Sequence, residues 1–433
     1  MRGARLGNVA IGNTIINLNP TGAAMKTMYP QFVAIAGCVA VLSGGPALGQ
    51  DWPQWRGPNR DAKLAGFAAP SAWPKELAQK WKVTVGAGDA TPALAGERLY
   101  VFSRQEAEEV LRCLEAATGK ELWLAKYEAP KVNGPDTGHG GPRSSPAIAD
   151  GKVLTLGVCG TVSCFAAADG KVMWRKDDFP GSWPRFHTAM SPLVADGVCV
   201  VQLGKENEGA VVAYDLATGE QKWKWAAEGP GYASPVVMTL GGAKLVVTQT
   251  AKSVVALGLA DGQLRWQTPF APQGMAYNAA TPIVEGQTVI FCGQGRGAKA
   301  VRLEQDGDTV TGKELWSNPE NAVQFNSPIL KQDLLFGQSQ RGAFFCLDAK
   351  AGKTLWTDAT GGRGGYGSIV DAGPVLMALN AKAQLTVFAP SNKEYSELAS
   401  YKVAEKDTYA YPVISGHRIF IKDQDAVTLW TID

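Results

Sequence analysis

Seven tryptophans set the frame of this chain. Trp81, Trp123, Trp174, Trp223, Trp266, Trp316 and Trp356 recur at spacings of 42, 51, 49, 43, 50 and 40 residues. Six of them carry a glycine four residues earlier: Gly119, Gly170, Gly219, Gly262, Gly312 and Gly352. The text around them barely changes, reading AATGKELW, AADGKVMW, LATGEQKW, LADGQLRW, TVTGKELW and AKAGKTLW. A period of this length marks a repeat architecture. A glycine after Thr, Asp or Ala supplies the positive φ of a tight hairpin turn. The Trp then falls on the following strand.

A second mark opens each unit. Thr91-Pro92, Ser145-Pro146, Ser191-Pro192, Ser234-Pro235, Thr281-Pro282 and Ser327-Pro328 precede runs such as PALAGERLYVF and PIVEGQTVIFC. Each run is two apolar stretches around a small-residue turn, and proline is tolerated where a strand begins. The unit therefore reads as four strands. Six units are complete. A seventh runs from Ser368 to about Tyr401, with Ile369 in place of Pro and Tyr401 in place of Trp. An eighth opens at Tyr411-Pro412 and stops one strand short at Asp433. The strand around Trp81 has no strands before it and supplies the missing one. Matched deficits at the two ends favour a closed ring over an open solenoid or two sandwiches. The expected fold is all-β, an eight-bladed β-propeller of four-stranded blades spanning 81–433, closed by the N-terminal strand.

Residues 1–49 hold Arg2, Arg5 and Lys26 and no acidic residue. From Met25, the expected true start, they read as a secretory signal: Lys26, an apolar run over 32–42, and Ala47-Leu48-Gly49 as a cleavage site. Ile35-Ala36-Gly37-Cys38 also resembles a lipoprotein box, so a lipid anchor at Cys38 stays open. Either reading implies export to the periplasm or beyond. Residues 50–80 form an N-terminal extension, in which the places of Trp52 and Trp55 are undetermined. A net charge of +2 with interspersed signs excludes an electrostatic nucleic-acid binder. No segment after the leader reaches the apolar length of a transmembrane helix. Cys113, Cys164 and Cys346 each lie ten residues before a repeat Trp, where other blades place Ala213 and Ala256. They read as core packing. Cys159 and Cys164 either pair across a hairpin or remain packing thiols.

The segments leading into each unit differ from the rest of the repeat, and in a ring they surround one mouth of the central channel. They carry His139, Arg143, Arg185, His187, Tyr232, Tyr277, Asn278, Phe325, Asn326, Arg363, Tyr366 and Tyr409. Aromatic, amide, Arg and His groups converging on one mouth suit a small polar ligand or a peptide. His139 and His187 titrate near neutral pH, and neither has an evident carboxylate partner in sequence. No catalytic residue and no metal site is assigned. Hydrolase, phosphate-loop and zinc motifs are missing.

The repeat Ala-x-x-x-Gly-Lys-x-x-Trp resembles the pyrroloquinoline quinone (PQQ) propeller repeat. The stretch DWPQWRGPNRD at 51–61 is similar to the opening of exported, BamB-like PQQ-repeat proteins of planctomycetes and related bacteria. That resemblance implies a non-enzymatic scaffold of the cell envelope, without a cofactor, holding an envelope protein or small ligand as a monomer. The other branch of the family implies a dehydrogenase using PQQ with Ca²⁺. Many of its members carry an adjacent Cys pair, which this chain lacks, and Ca²⁺-binding Glu and Asn. Here the acidic candidates are Asp89, Asp136 and Asp407.

Overall fold

A computed structural model describes residues 49–359 and 365–432. The leader with Cys38, and Arg363, lie outside the described residues. Among the described residues, thirty-two strands form eight antiparallel four-stranded sheets. In blade 1, Ala93–Ala95 lies innermost, followed outward by Arg98–Gln105, Glu108–Glu115 and Glu121–Glu128. Blades 2 to 7 repeat this order. In blade 8, Val413–Ser415, Arg418–Lys422 and Ala426–Thr431 are joined by Ala78–Thr84 as the outermost strand. That strand pairs antiparallel with Ala426–Thr431. The last blade is thus built from both ends of the propeller, as the matched deficits require.

Burial follows position within a blade. Val198–Leu203 is buried at every residue because other blades cover both faces of its sheet. The outermost Glu121–Glu128 is largely exposed. Its apolar partner is the repeat tryptophan, and the structure shows why the glycine travels with it. The Trp223 indole donates to Leu259 O of the next blade at 2.8 Å. A Cβ on Gly262 of that blade would overlap the Trp223 ring. The same contact joins Trp81 to Gly119, Trp123 to Gly170, Trp174 to Gly219, Trp266 to Gly312 and Trp316 to Gly352. The Trp81 contact carries the pattern from blade 8 to blade 1. Each glycine therefore serves the Trp of the preceding blade.

Gly312 corrects the hairpin reading. Five of these glycines have φ between +68° and +74°, but Gly312 is not among the positive-φ residues. It lies within the long strand Thr309–Asn318, opposite Leu303. The turn of that hairpin is at Gly307, with φ +57°. Blade 5 extends its hairpin past the usual turn, and the glycine stays for the close approach of Trp266 alone.

The Ser/Thr-Pro marks also act between blades. Ser145 N donates to Ser191 Oγ at 2.9 Å, Ser191 N to Ser234 Oγ at 2.9 Å, and Thr281 N to Ser327 Oγ at 2.8 Å. Tyr411 N of blade 8 donates to Thr91 Oγ1 of blade 1 at 2.9 Å. The hydroxyls satisfy amides at the inner wall, where neither a ladder nor bulk water reaches. Cys113, Cys164 and Cys346 pair in register with their tryptophans, each beside a bulge. Cys159 and Cys164 are both free and buried, with Cys159 Sγ beside Pro130 O and Cys164 Sγ beside Leu216 O, an arrangement of packing thiols.

Candidate functional site

The segment after residue 50 closes the channel from one face. Trp52 is fully buried and exchanges both backbone hydrogen bonds with Leu94 of blade 1, at 2.9 and 2.8 Å. Arg60, also buried, donates to Pro192 O at 2.8 Å and Ser191 O at 2.9 Å in blade 3. Burial and the neighbouring Arg56 push its guanidinium down to about 9. Arg56 reaches Pro328 O of blade 6 at 2.8 Å. Trp55 donates to Thr281 Oγ1 of blade 5 at 2.9 Å and packs edge-on against Tyr411 of blade 8 at 4.9 Å. The motif DWPQWRGPNRD is thus a plug that reads the corners of five blades. No local sequence signal places Trp55 in the channel.

Above the plug lies a cup of about 400 Å³ with Trp55 in its lining. Blades 3 to 8 each contribute one aromatic ring to it: Phe186, Tyr232, Tyr277, Phe325, Tyr366 and Tyr409. The rings touch in series. Phe186 lies 5.3 Å from Tyr277, and Tyr277 lies 5.6 Å from Phe325. Phe325 stacks on Tyr366 at 3.8 Å, and Tyr366 meets Tyr409 edge-on at 4.9 Å. Tyr409 meets His139 at 4.9 Å. Four of the six stand two residues before the Ser, Thr-like or Tyr corner of their blade, which is the signal the sequence offers for them.

The loops into blades 1 and 2 supply charge. The short 3-10 helix Gly134–His139 brings Asp136 and His139, three residues apart, to one side. His139 Nδ1 lies 2.8 Å from Asp89 Oδ2, and Arg143 Nη1 lies 2.9 Å from Asp136 Oδ2. Arg143 also donates to Phe186 O and to His139 O, closing the collar. The hydrogen bond to Asp89 holds the His139 imidazole above its ordinary value. Burial, with Arg143 nearby, holds that of His187 below it. Both histidines therefore have carboxylate neighbours that sequence spacing did not reveal, since Asp89 is 50 residues from His139 and Asp136 lies 3.5 Å from His187.

Four expected mouth residues are not in this cup. His187 is buried behind it, at φ +58°, stacked on Trp183. Arg185 is exposed on the outer rim, over the Phe186 ring. Asn278 donates to Thr250 O and Phe270 O and accepts from Arg296. Asn326 donates to Gln338 O. Both amides are spent on loop carbonyls that burial would otherwise leave unpaired. Arg363 lies outside the described residues.

These features do not fit a calcium–quinone site. Ca²⁺ takes six or more oxygen ligands. Asp89 and Asp136 are engaged with bases, the Asn278 oxygen accepts from Arg296, and among the described residues no three His, Cys, Asp or Glu side chains converge.

Fold and site together define an eight-bladed propeller with a plugged channel and an aromatic cup. Residues 106–358 match the family model described as outer membrane protein assembly factor BamB, and the chain belongs to that family. It is similar to the BamB of Burkholderia pseudomallei, 24% identical over 294 residues, covering 65% of this chain and 69% of that one. The BamB of Xanthomonas campestris is 26% identical over 304 residues, covering 66% and 70%. A quinohemoprotein alcohol dehydrogenase of Comamonas testosteroni is 25% identical over 186 residues, covering 42% of this chain and 25% of that one. Among solved structures, BamB from Moraxella catarrhalis superposes with a TM-score of 0.62 at 16% identity, covering 82% of this chain and 99% of that one. The Comamonas dehydrogenase gives 0.66 at 14% identity, covering 88% and 80%, a likeness of fold alone.

Proposed function

We propose that the protein is a non-enzymatic binding propeller of the bacterial cell envelope, exported as a monomer, that holds an envelope protein or small ligand at the cup. The observation that carries this reading is the cup itself. Six rings and a floor tryptophan are presented on rigid blades, while its carboxylates are paired with bases. Such a surface suits recognition. The relatives named for outer membrane assembly supply the compartment. Export by cleavage after Gly49 and export with a lipid anchor at Cys38 are the two alternatives within this reading.

The sequence likeness to a quinohemoprotein alcohol dehydrogenase over 186 residues supports a second reading, a PQQ-dependent dehydrogenase, and one experiment separates them. Purified protein is mixed with PQQ and Ca²⁺ and passed through gel filtration. We expect no quinone absorbance in the protein peak and no dye reduction with alcohols or sugars. Retained quinone with substrate-dependent dye reduction overturns the scaffold.

A further inference from the structure

The cup does not stand alone. A second hollow, of about 540 Å³, lies beside it and shares Phe186 and Tyr277 as a common wall. Its lining is amide-rich, with Gln273, Gln294, Gln324 and Gln340. The side-chain oxygens of Gln294 and Gln340 are buried and accept no hydrogen bond. The amide groups that line the hollow offer both donors and acceptors to a ligand. Cup and hollow together make an elongated site, aromatic at one end and amide-lined at the other.

The chemistry of that site narrows its occupant. Among the described residues its acids and bases are matched in pairs, Asp89 with His139 and Asp136 with Arg143, which leaves no net charge there to select an ion. Flat ring faces at half-buried positions suit a ligand with an apolar face, and the glutamine amides lining the hollow suit hydroxyl groups. A sugar ring has both, with C–H groups on one face and hydroxyls at its edge. A peptide would gain most by adding a strand to a free sheet edge. This mouth is made of loops, and the innermost strands behind it, which stand at the sheet edges, are only three to five residues long.

We propose that the cup and the hollow bind a neutral glycan chain, with a terminal sugar held among the aromatic collar and Trp55, and following sugars passing over Phe186 and Tyr277 to the glutamine amides. The proposal rests on the reading of the mouth as the binding surface, and it names the ligand class.

The test uses the full chain and soluble cello-, laminari-, manno-, xylo- and chito-oligosaccharides, with a pool of unstructured neutral peptides as the comparison arm. Saturation-transfer NMR detects binding and calorimetry measures it. We expect at least one oligosaccharide series to bind, tighter for longer chains than for its monosaccharide and indifferent to added salt. Tyr277→Ala should weaken binding about tenfold, and Tyr277→Phe should retain it. Gln294→Ala should weaken the longer chains and spare the monosaccharide. Matching melting temperatures show that the variants fold. Binding of peptides and of no sugar overturns the glycan and leaves the scaffold reading standing. Binding that collapses with salt also overturns it, because it shows a charge-selected ligand. If no probe binds, and envelope extract yields the same partners from wild type and Tyr277→Ala, both readings fall.

Discussion

Trp223 shows what a repeat residue does in this ring. Its indole is 6% exposed, donates to Leu259 O, and is covered by Gly262. Trp223→Ala should therefore destabilise by roughly 3–5 kcal/mol, through lost burial and a cavity that two blades border. Chemical denaturation measures it, and an unchanged midpoint would contradict the assignment. The two mouth histidines make a prediction of opposite signs. The folded state raises the His139 imidazole above 6.5, through Asp89. Its contribution is complete below that value and fades as pH rises through the higher folded one. The folded state lowers His187, through burial and Arg143. That contribution is present above 6.5 and is lost as pH falls toward the lower folded value. Asp136, Arg143 and Tyr409 also face this pair and set the baseline. In melting profiles against pH, His139→Gln should flatten the alkaline flank and His187→Gln the acid flank. A flank that keeps its slope in its variant would refute that half.

At the scale of a strand or hairpin, Gly307 and Gly312 divide two roles that the other blades place on one residue. Gly307 has φ +57° and open space around its Cα. Gly312 has an ordinary strand conformation and the Trp266 indole against it. Gly307→Ala should cost about 1 kcal/mol, from the left-handed backbone alone. Gly312→Ala should cost about 1–3 kcal/mol, from overpacking between blades. Denaturant midpoints of the two variants test the order, and a neutral Gly312→Ala would mean that blade 5 absorbs the clash. The hairpins and their register were readable in sequence because each strand repeats the same local pattern. The longer hairpin of blade 5 was not, because the TVTGKELW text matches its neighbours while the chain turns five residues earlier, at Gly307.

On the scale of the whole molecule, closure is made more than once. Ala78–Thr84 completes blade 8, Trp81 packs on Gly119, and Tyr411 N bonds to Thr91 Oγ1. The plug then ties blades across the channel through Arg56, Arg60 and Trp55. Arg60→Ala leaves Pro192 O and Ser191 O without that donor and should destabilise by about 1–3 kcal/mol. It should also loosen the floor of the cup, seen as increased quenching of tryptophan fluorescence by acrylamide. Unchanged stability and quenching would show that the plug is only resting on the ring.

Sequence by itself determined the number of blades, the strands within them, the closing strand and five of the six aromatic positions at the mouth. Each of these rests on local periodicity, which the same few residues state over and over. Tertiary structure alone decided the partners of those residues. Asp89 meets His139 across 50 residues, Trp55 meets Thr281 across 226, and Tyr411 meets Thr91 across 320. It also turned Asn278 and Asn326 from mouth residues into supports for loop carbonyls. The reason is geometric. A closed ring brings eight distant loops to one axis, and which side chains face that axis depends on how neighbouring loops pack, a relation that no single repeat contains.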